Sequence, residues 1–307
     1  MEKNVLICLV ILLSIILLLL ILIIIASTMM VHKLSYPIRY DTKYTHQIDA
    51  DKGLLEGIEV LKRDKIEIKM RDNYIVHGDI SLTDDKDNKK WIIITHGYAW
   101  TREGSLKYAK IFYKLGYNIL IYDNRSHGEN VHQDVTMGYK EAKDLDEIIT
   151  YVIKNYGNDV YIGLHGESLG AAITLMSLKY KRENVKFAIA DSSYSSLNDL
   201  VKYQITLYHL PRIILPMCSL LLKILHGYYI KNINVAEDVK NVDIPVLLVH
   251  GDGDTFIPKD EAYKLHKAIK NSELKLYKGC DHTQSVIKFP KEYSEMISDF
   301  LTRRVNK

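Results

Sequence analysis

With 307 residues, 47% of them hydrophobic, the chain is long enough to bury a full core and to form one or two domains. Its 41 Lys and Arg stand against 38 Asp and Glu, a formal charge of +3, and the cations are dispersed among acids rather than gathered in a stripe, which argues against nucleic-acid binding. Three cysteines without a C-x-x-C pair and twelve histidines without an H-E-x-x-H give no redox or metal motif, so neither a cofactor nor a metal is expected.

Residues 5–26 form an uninterrupted apolar run whose only polar member is Ser14. As a helix it is about 33 Å long, enough to cross a bilayer. A cleaved signal peptide is the rival reading, with Ala26, Ser27 and Thr28 as small residues near its end, but the hydrophobic part of such a peptide runs to only about 7 to 15 residues. The expectation is an uncleaved anchor over residues 1–33 followed by a catalytic domain over 34–307. Lys3 precedes the run and Lys33, Arg39 and Lys43 follow it; counting cations favours a cytoplasmic domain, whereas short N-terminal anchors usually leave it extracytoplasmic. The extracytoplasmic side is taken as the expectation, with sidedness open.

From residue 64 the pattern changes to short apolar runs alternating with amphipathic segments, the signature of an α/β sheet. Residues 66–70 and 74–82 predict an opening hairpin, and strands are predicted over 91–95, 118–122, 160–164, 187–190, 245–249 and 274–277. Most are too continuously apolar for a surface strand. Helical spacing marks 103–115, 140–156, 169–181, 259–269 and 292–301. The sum is one mostly parallel, eight-stranded sheet covered on both faces, without internal repeats. About fifty residues, 193–243, separate two consecutive strands where a plain crossover needs a dozen or more. The middle of this insertion, residues 213–225, is apolar but carries Arg212 beside it, Lys223 and Pro216, so it is too short and interrupted to be a second span. It reads either as a helix packed on the core or as a lid with an apolar inner face, lying over the active site or touching the bilayer.

The chemistry centres on Gly166-Glu167-Ser168-Leu169-Gly170, which follows one predicted strand directly and precedes a helix. Such a strand-to-helix corner holds a serine on a strained turn too tight for neighbouring side chains. A serine hydroxyl is a weak nucleophile and needs a base, itself oriented by an acid. The loop His250-Gly251-Asp252-Gly253-Asp254 follows a strand and offers Asp254 as the acid, with Asp252 as the alternative. His282 follows the last strand, whereas His266 falls within a helix. The order Ser168, Asp254, His282 therefore supplies nucleophile, acid and base. For the oxyanion, the backbone N–H of Leu169 is one donor and that of Tyr98, in the turn after strand 91–95, the other. The side chains of Tyr98 and Trp100 are then free to line an acyl pocket or to join the core. His127 and His132 read as loop residues, and Cys8, Cys218 and Cys280 as free thiols.

With His96-Gly97-Tyr98, Asp123-Asn124-Arg125-Ser126-His127-Gly128, His165-Gly166-Glu167-Ser168-Leu169-Gly170, His250 to Asp254 and Asp281-His282 in place, the chain resembles the α/β-hydrolase superfamily from about residue 65 to 301. The nearest resemblance is to bacterial serine hydrolases with an N-terminal anchor, grouped with serine aminopeptidase-like or cell-surface hydrolases. This resemblance implies Ser168 as nucleophile, Asp254 as acid, His282 as base, and Tyr98 with Leu169 as oxyanion donors. Ser126 departs from the pattern, which commonly has glycine there; a local adjustment is expected. The apolar insertion and the anchor favour an acyl or aromatic ester, small or lipid-like, drawn from the membrane. A peptidase or an acyltransferase is the alternative, and a non-enzymatic binding module the more distant one.

Overall fold

In the computed structural model, which describes residues 2–305, the apolar runs become β1 (Asp64–Lys69), β2 (Ile75–Ser81), β3 (Lys90–Thr95), β4 (Asn118–Tyr122), β5 (Tyr161–Glu167), β6 (Val185–Asp191), β7 (Val246–Gly251) and β8 (Ser272–Tyr277). They form one eight-stranded sheet in the order β1-β2-β4-β3-β5-β6-β7-β8. The hairpin β1-β2 and the pair β2-β4 are antiparallel and every other pairing is parallel. Because strand side chains alternate between faces, Ile93, Leu164 and Leu248 enter one core and Ile92, Ile94, Ile189 and Val249 the other. Both faces are buried, which is why these strands are apolar throughout.

The helices are α1 (Glu2–Ser35), α2 (Thr42–Asp51), α3 (Leu106–Lys114), α4 (Glu141–Tyr156), α5 (Leu169–Ser177), α6 (Leu197–Leu207), α7 (Ile214–His226), α8 (Val235–Asp238), α9 (Asp260–Ala268), α10 (Ser285–Lys288) and α11 (Pro290–Phe300). Every helix expected from spacing is present, with tighter turns at some ends: 3₁₀ turns precede α3 and follow α5. Helix α2 and the one-turn α10 have no counterpart among those expectations, and α6 and α8 lie in the insertion; of these α2 is the informative case. It is polar, buries only Thr45 and Asp49, and starts at an Asp41 cap whose carboxylate accepts from Tyr44 N–H at 2.7 Å, so no apolar periodicity marks it. Pro216 does not interrupt α7, because it lies in the first turn, where the missing N–H would have had no partner.

The N-terminal helix is longer than its apolar run. Residues 5–22 are exposed along their whole length, whereas Ser27, Val31 and Ser35 are buried and Ile23, Ala26, Met30 and Leu34 half-buried, one helical face packed on the domain. Its partner is α7, whose Cys218 thiol stands 3.6 Å from the carbonyl of Ser27. The end expected at residue 33 therefore falls inside a helix that reaches Ser35, on turns that belong to the folded domain.

Helix α5 enters the sheet closely enough that its first turn has no room for a side chain. A Cβ on Gly170 would stand 2.1 Å from the carbonyl oxygen of Thr95, and one on Gly166 2.2 Å from that of Gly170. Both contacts are backbone to backbone and leave no flexible group to yield. Gly170→Ala is expected to destabilise the protein by about 1–3 kcal/mol or more, read as a Tm lower by about 2–4 °C per kcal/mol; an unchanged melting curve would contradict this packing.

Candidate active site

Strand β5 runs straight into the elbow, and Ser168 follows it with φ 55 and ψ −117, a conformation that non-glycine residues rarely adopt. The turn is held from below. Ser168 N–H donates to the carbonyl of Asp191 at the end of β6 (2.8 Å), and the helix-start N–H groups of Ala171 and Ala172 return to the carbonyl of Ser168. Glu167, the residue before the serine, accepts from the buried ammonium of Lys107 (2.6 Å) and from the hydroxyl of Tyr108 (2.5 Å). Burial works against the charge on Lys107, but Glu167 and Asp49 outweigh it and its pKa is raised, so the pair stays ionic.

His282 lies in the turn after β8, with Nδ1 2.7 Å from Asp254 Oδ2 and Nε2 2.8 Å from Ser168 Oγ. Asp254 stands in the turn after β7. Burial acts to raise its pKa, but hydrogen bonds from His250, His282 and Ile257 N–H prevail and hold it well below the usual carboxylate range. A carboxylate can only accept, so Nδ1 of His282 carries the proton and Nε2 presents its lone pair to the Ser168 hydroxyl. The other Asp254 oxygen accepts from Phe256 N–H (2.9 Å) and Ile257 N–H (2.8 Å), which fixes the plane of the carboxylate. Asp252, the alternative acid, instead accepts from Gly279 N–H at 2.7 Å and braces the two loops against each other.

The turn after β3 carries Gly97 and Tyr98. Neither Tyr98 N–H nor Leu169 N–H has a hydrogen-bond partner among the described residues, although both neighbour Ser168 through the turn and the elbow. The turn is fixed through two buried histidines. Asn124 N–H donates to His96 Nε2 (2.9 Å), and Ala99 N–H, at φ 59, donates to His127 Nε2 (3.0 Å) while His127 Nδ1–H donates to Arg125 carbonyl (2.6 Å). Burial lowers the His127 pKa to about 4, so it is neutral and its Nε2 can accept. His127, read from sequence only as a loop residue, thus orients the turn beside the serine. Ser126 takes the glycine-like φ of 63; its N–H donates to Tyr74 hydroxyl (3.0 Å) and its Oγ is 3.0 Å from His132 Nδ1. These bonds offset a strain of about 1–3 kcal/mol and explain why serine is tolerated there.

Ser168 and His282 open into a cavity of about 250 Å³ with mostly apolar walls. Met30 and Leu34 of α1, Met137, Leu200 and Val201 of α6 and Ile257 supply them. Among the described residues no carboxylate lines the space, and Lys33 is its one ammonium. The Tyr98 hydroxyl donates to Lys33 carbonyl, tying the end of α1 to the turn after β3. Trp100 does not reach the cavity: its ring packs edge-on against Tyr40 and its N–H donates to Asp49 at 3.4 Å. The insertion splits between the two sequence readings, with α6 on the cavity and α7 against α1.

Two site residues had no role assigned from sequence. His250 begins the loop that carries Asp254; its Nε2 is 2.8 Å from Ile257 carbonyl and 3.3 Å from Asp254 Oδ2. Asp191, beneath the elbow, accepts from Tyr293 hydroxyl (3.0 Å) and Ser192 hydroxyl (3.0 Å). Burial, helped by the charge of Glu167, raises the Asp191 pKa from 3.8 to about 6. The folded chain then holds that proton to a higher pH than the unfolded chain, so this group's contribution to stability falls as pH rises from about 4 to 6, by on the order of 3 kcal/mol. Asp191→Asn removes the titration. Urea unfolding in detergent at pH 4.5 and 7 is expected to show the wild type losing stability relative to the variant at the higher pH; parallel changes in both would contradict it.

A family model described as serine aminopeptidase, S33, matches residues 86–232, a stretch that contains Ser168 and ends before Asp254 and His282. The uncharacterized protein YqkD of Bacillus subtilis (strain 168) is 27% identical over 259 residues, covering 83% of this chain and 84% of its own. The lysophosphatidylserine lipase ABHD12 of Macaca fascicularis is 25% identical over 186 residues, 57% of this chain and 44% of its own. Among solved structures, esterase Pf2001 of Pyrococcus furiosus superposes with a TM-score of 0.68 at 24% identity, covering 89% of this chain and 99% of that one, a likeness of fold. The strand order, the elbow and these similarities agree on the α/β-hydrolase fold and support an enzyme of hydrolase type.

Proposed function

We propose that this chain is a membrane-anchored serine hydrolase that cleaves carboxylic esters with an apolar acyl or aromatic part. The observation that carries the reading is the hydrogen-bond chain from Ser168 Oγ through His282 to Asp254 at the mouth of an apolar cavity. Ser168 attacks the ester carbonyl as His282 Nε2 takes its proton, and Asp254 stabilises the imidazolium that forms. The N–H groups of Tyr98 and Leu169 receive the oxyanion, each worth about 3–4 kcal/mol in the transition state. His282 then protonates the departing alcohol, and water, activated by the same histidine, releases the acid from acyl-Ser168.

Peptidase action is less well supported. An aminopeptidase needs a negative group for the free amino terminus, and no carboxylate lines the cavity, while Lys33 would repel an ammonium. The names of the esterase Pf2001 and of the lipase ABHD12 point the same way for those proteins. The apolar helix α1 is the proposed anchor, with the catalytic domain on its extracytoplasmic side.

The full chain purified in detergent is expected to be labelled at Ser168 by a fluorophosphonate and to hydrolyse p-nitrophenyl esters in preference to aminoacyl p-nitroanilides. Ser168→Ala should keep its melting curve and lose turnover on the order of 10⁶-fold. Unaltered hydrolysis by that variant would sink the proposal, and faster release from the anilides would favour the peptidase.

A further inference from the structure

The insertion between β6 and β7 presents a second surface that the chemistry does not use. On α7, Ile214, Cys218 and Leu222 are buried, while Ile213 (52% exposed), Leu220 (47%) and Ile224 (67%) project outward at helical spacing. Leu207 and Tyr208, at the end of α6, are exposed beside them. Between Leu200 and Ile233 the charged side chains are Lys202, Arg212, Lys223 and Lys231, with no Asp or Glu. An apolar stripe on a segment whose own charged side chains are all cations matches an anionic lipid surface better than water or an unspecified protein; Asp134 of a neighbouring loop lies against its far end, held by His226 and Lys140.

The geometry of α1 says where that surface faces. Cys218 of α7 lies against Ser27, and His226, two turns on, packs its ring 5.8 Å from Tyr36, nine residues further along the chain from Ser27. The two helices therefore run side by side in the same direction, and the first turn of α7 is level with about Ile23, inside the apolar run of α1. If that run crosses a bilayer, the start of α7 meets the same leaflet. Of the cavity walls on α1, Met30 comes about 6 Å after Ala26, within a headgroup layer about 5–8 Å thick on each side, and Leu34 about 12 Å after it, just above that layer.

We infer that α7 and the end of α6 dock on the anionic surface of the bilayer that α1 crosses, so that the cavity takes its ester from a membrane-resident amphiphile rather than from solution. The substrate class, an acyl ester of an amphiphile with its polar end at the headgroup layer, rests on the hydrolase reading above; the docking does not. Lys33, over the ring of Tyr208 at 5.9 Å, stands where a headgroup phosphate or carboxylate would pass.

The test uses the full chain reconstituted in vesicles of phosphatidylcholine and phosphatidylglycerol that carry brominated acyl chains. Leu220→Trp and Ile224→Trp are expected to be quenched above the background of Trp91 and Trp100, and Glu183→Trp, near the amino ends of the strands and away from the site, is not. Quenching should weaken when phosphatidylglycerol is left out. Equal quenching at Leu220→Trp and Glu183→Trp would overturn the docking, and no dependence on phosphatidylglycerol would overturn its anionic character. In the second arm, Leu220→Asp with Ile224→Asp should slow hydrolysis of a long-chain ester held in the vesicles about tenfold or more and leave p-nitrophenyl acetate turnover unchanged. Equal rates on both esters would overturn delivery from the membrane. If the wild type turns over neither ester, the hydrolase reading fails while the quenching still decides the docking.

Discussion

Everything at this site hangs on the distance between the first turn of α5 and the end of β3. With glycine at positions 166 and 170, backbone meets backbone there, and the chain can reverse from strand to helix within one residue. That reversal forces Ser168 into its positive φ, points the hydroxyl away from the sheet, and leaves the N–H of Leu169 beside it without a partner. The same approach brings Gly97 within 3.4 Å of the serine Cβ, measured from where its own Cβ would stand, so the turn that carries Tyr98 is set by the same contact. The exposed serine hydroxyl and the two unpartnered N–H groups beside it are thus consequences of one steric fact.

Around this backbone the charges are arranged so that each buried group has a fixed partner. Lys107 holds Glu167, Arg102 holds Asp123, and Arg125 holds Asp144 at 2.5 and 2.7 Å. Buried ion pairs add little net stability compared with apolar residues, and removing one partner is costly. Their effect is on geometry. Asp123, gripped by Arg102, also accepts the N–H of Glu129, and this fixes the loop whose His127 orients Ala99. The catalytic turn is therefore stiffened by a network that begins some distance away.

Most of the fold was legible because it rests on patterns of periodicity and punctuation. The strands are runs of Ile, Leu and Val that must be apolar on both faces, and the elbow is spelled out by two glycines whose need is local. That His282 and an Asp of the loop after β7 meet near Ser168 was legible from chain order, and the choice between Asp252 and Asp254 was not, since both are Asp in one tight loop and only the path of the chain decides which carboxylate meets His282. Helix α2 stayed hidden because it holds to the domain through polar contacts, Thr45 to Thr101 at 2.5 Å and His46 to Glu103 at 2.8 Å. The roles of His127, His250 and Asp191 were equally invisible, as each depends on a partner distant in sequence. Nor could hydropathy tell where the exposed part of α1 ends and the packed part begins, because Met30, Val31 and Leu34 are as apolar as the residues before them.

That last ambiguity is also a property of the molecule. The turns of α1 from Met30 to Leu34 answer to two demands, since they complete a helix that begins in the apolar run and they close one side of the cavity beside Ser168. A fragment beginning at residue 35 would keep the serine, the histidine and the aspartate yet lack a wall, exposing Met137, Leu200 and Val201 to water. The chain-length preference of such a fragment would describe an open trough. In the intact chain, the length of the cavity is set in part by the N-terminal helix itself.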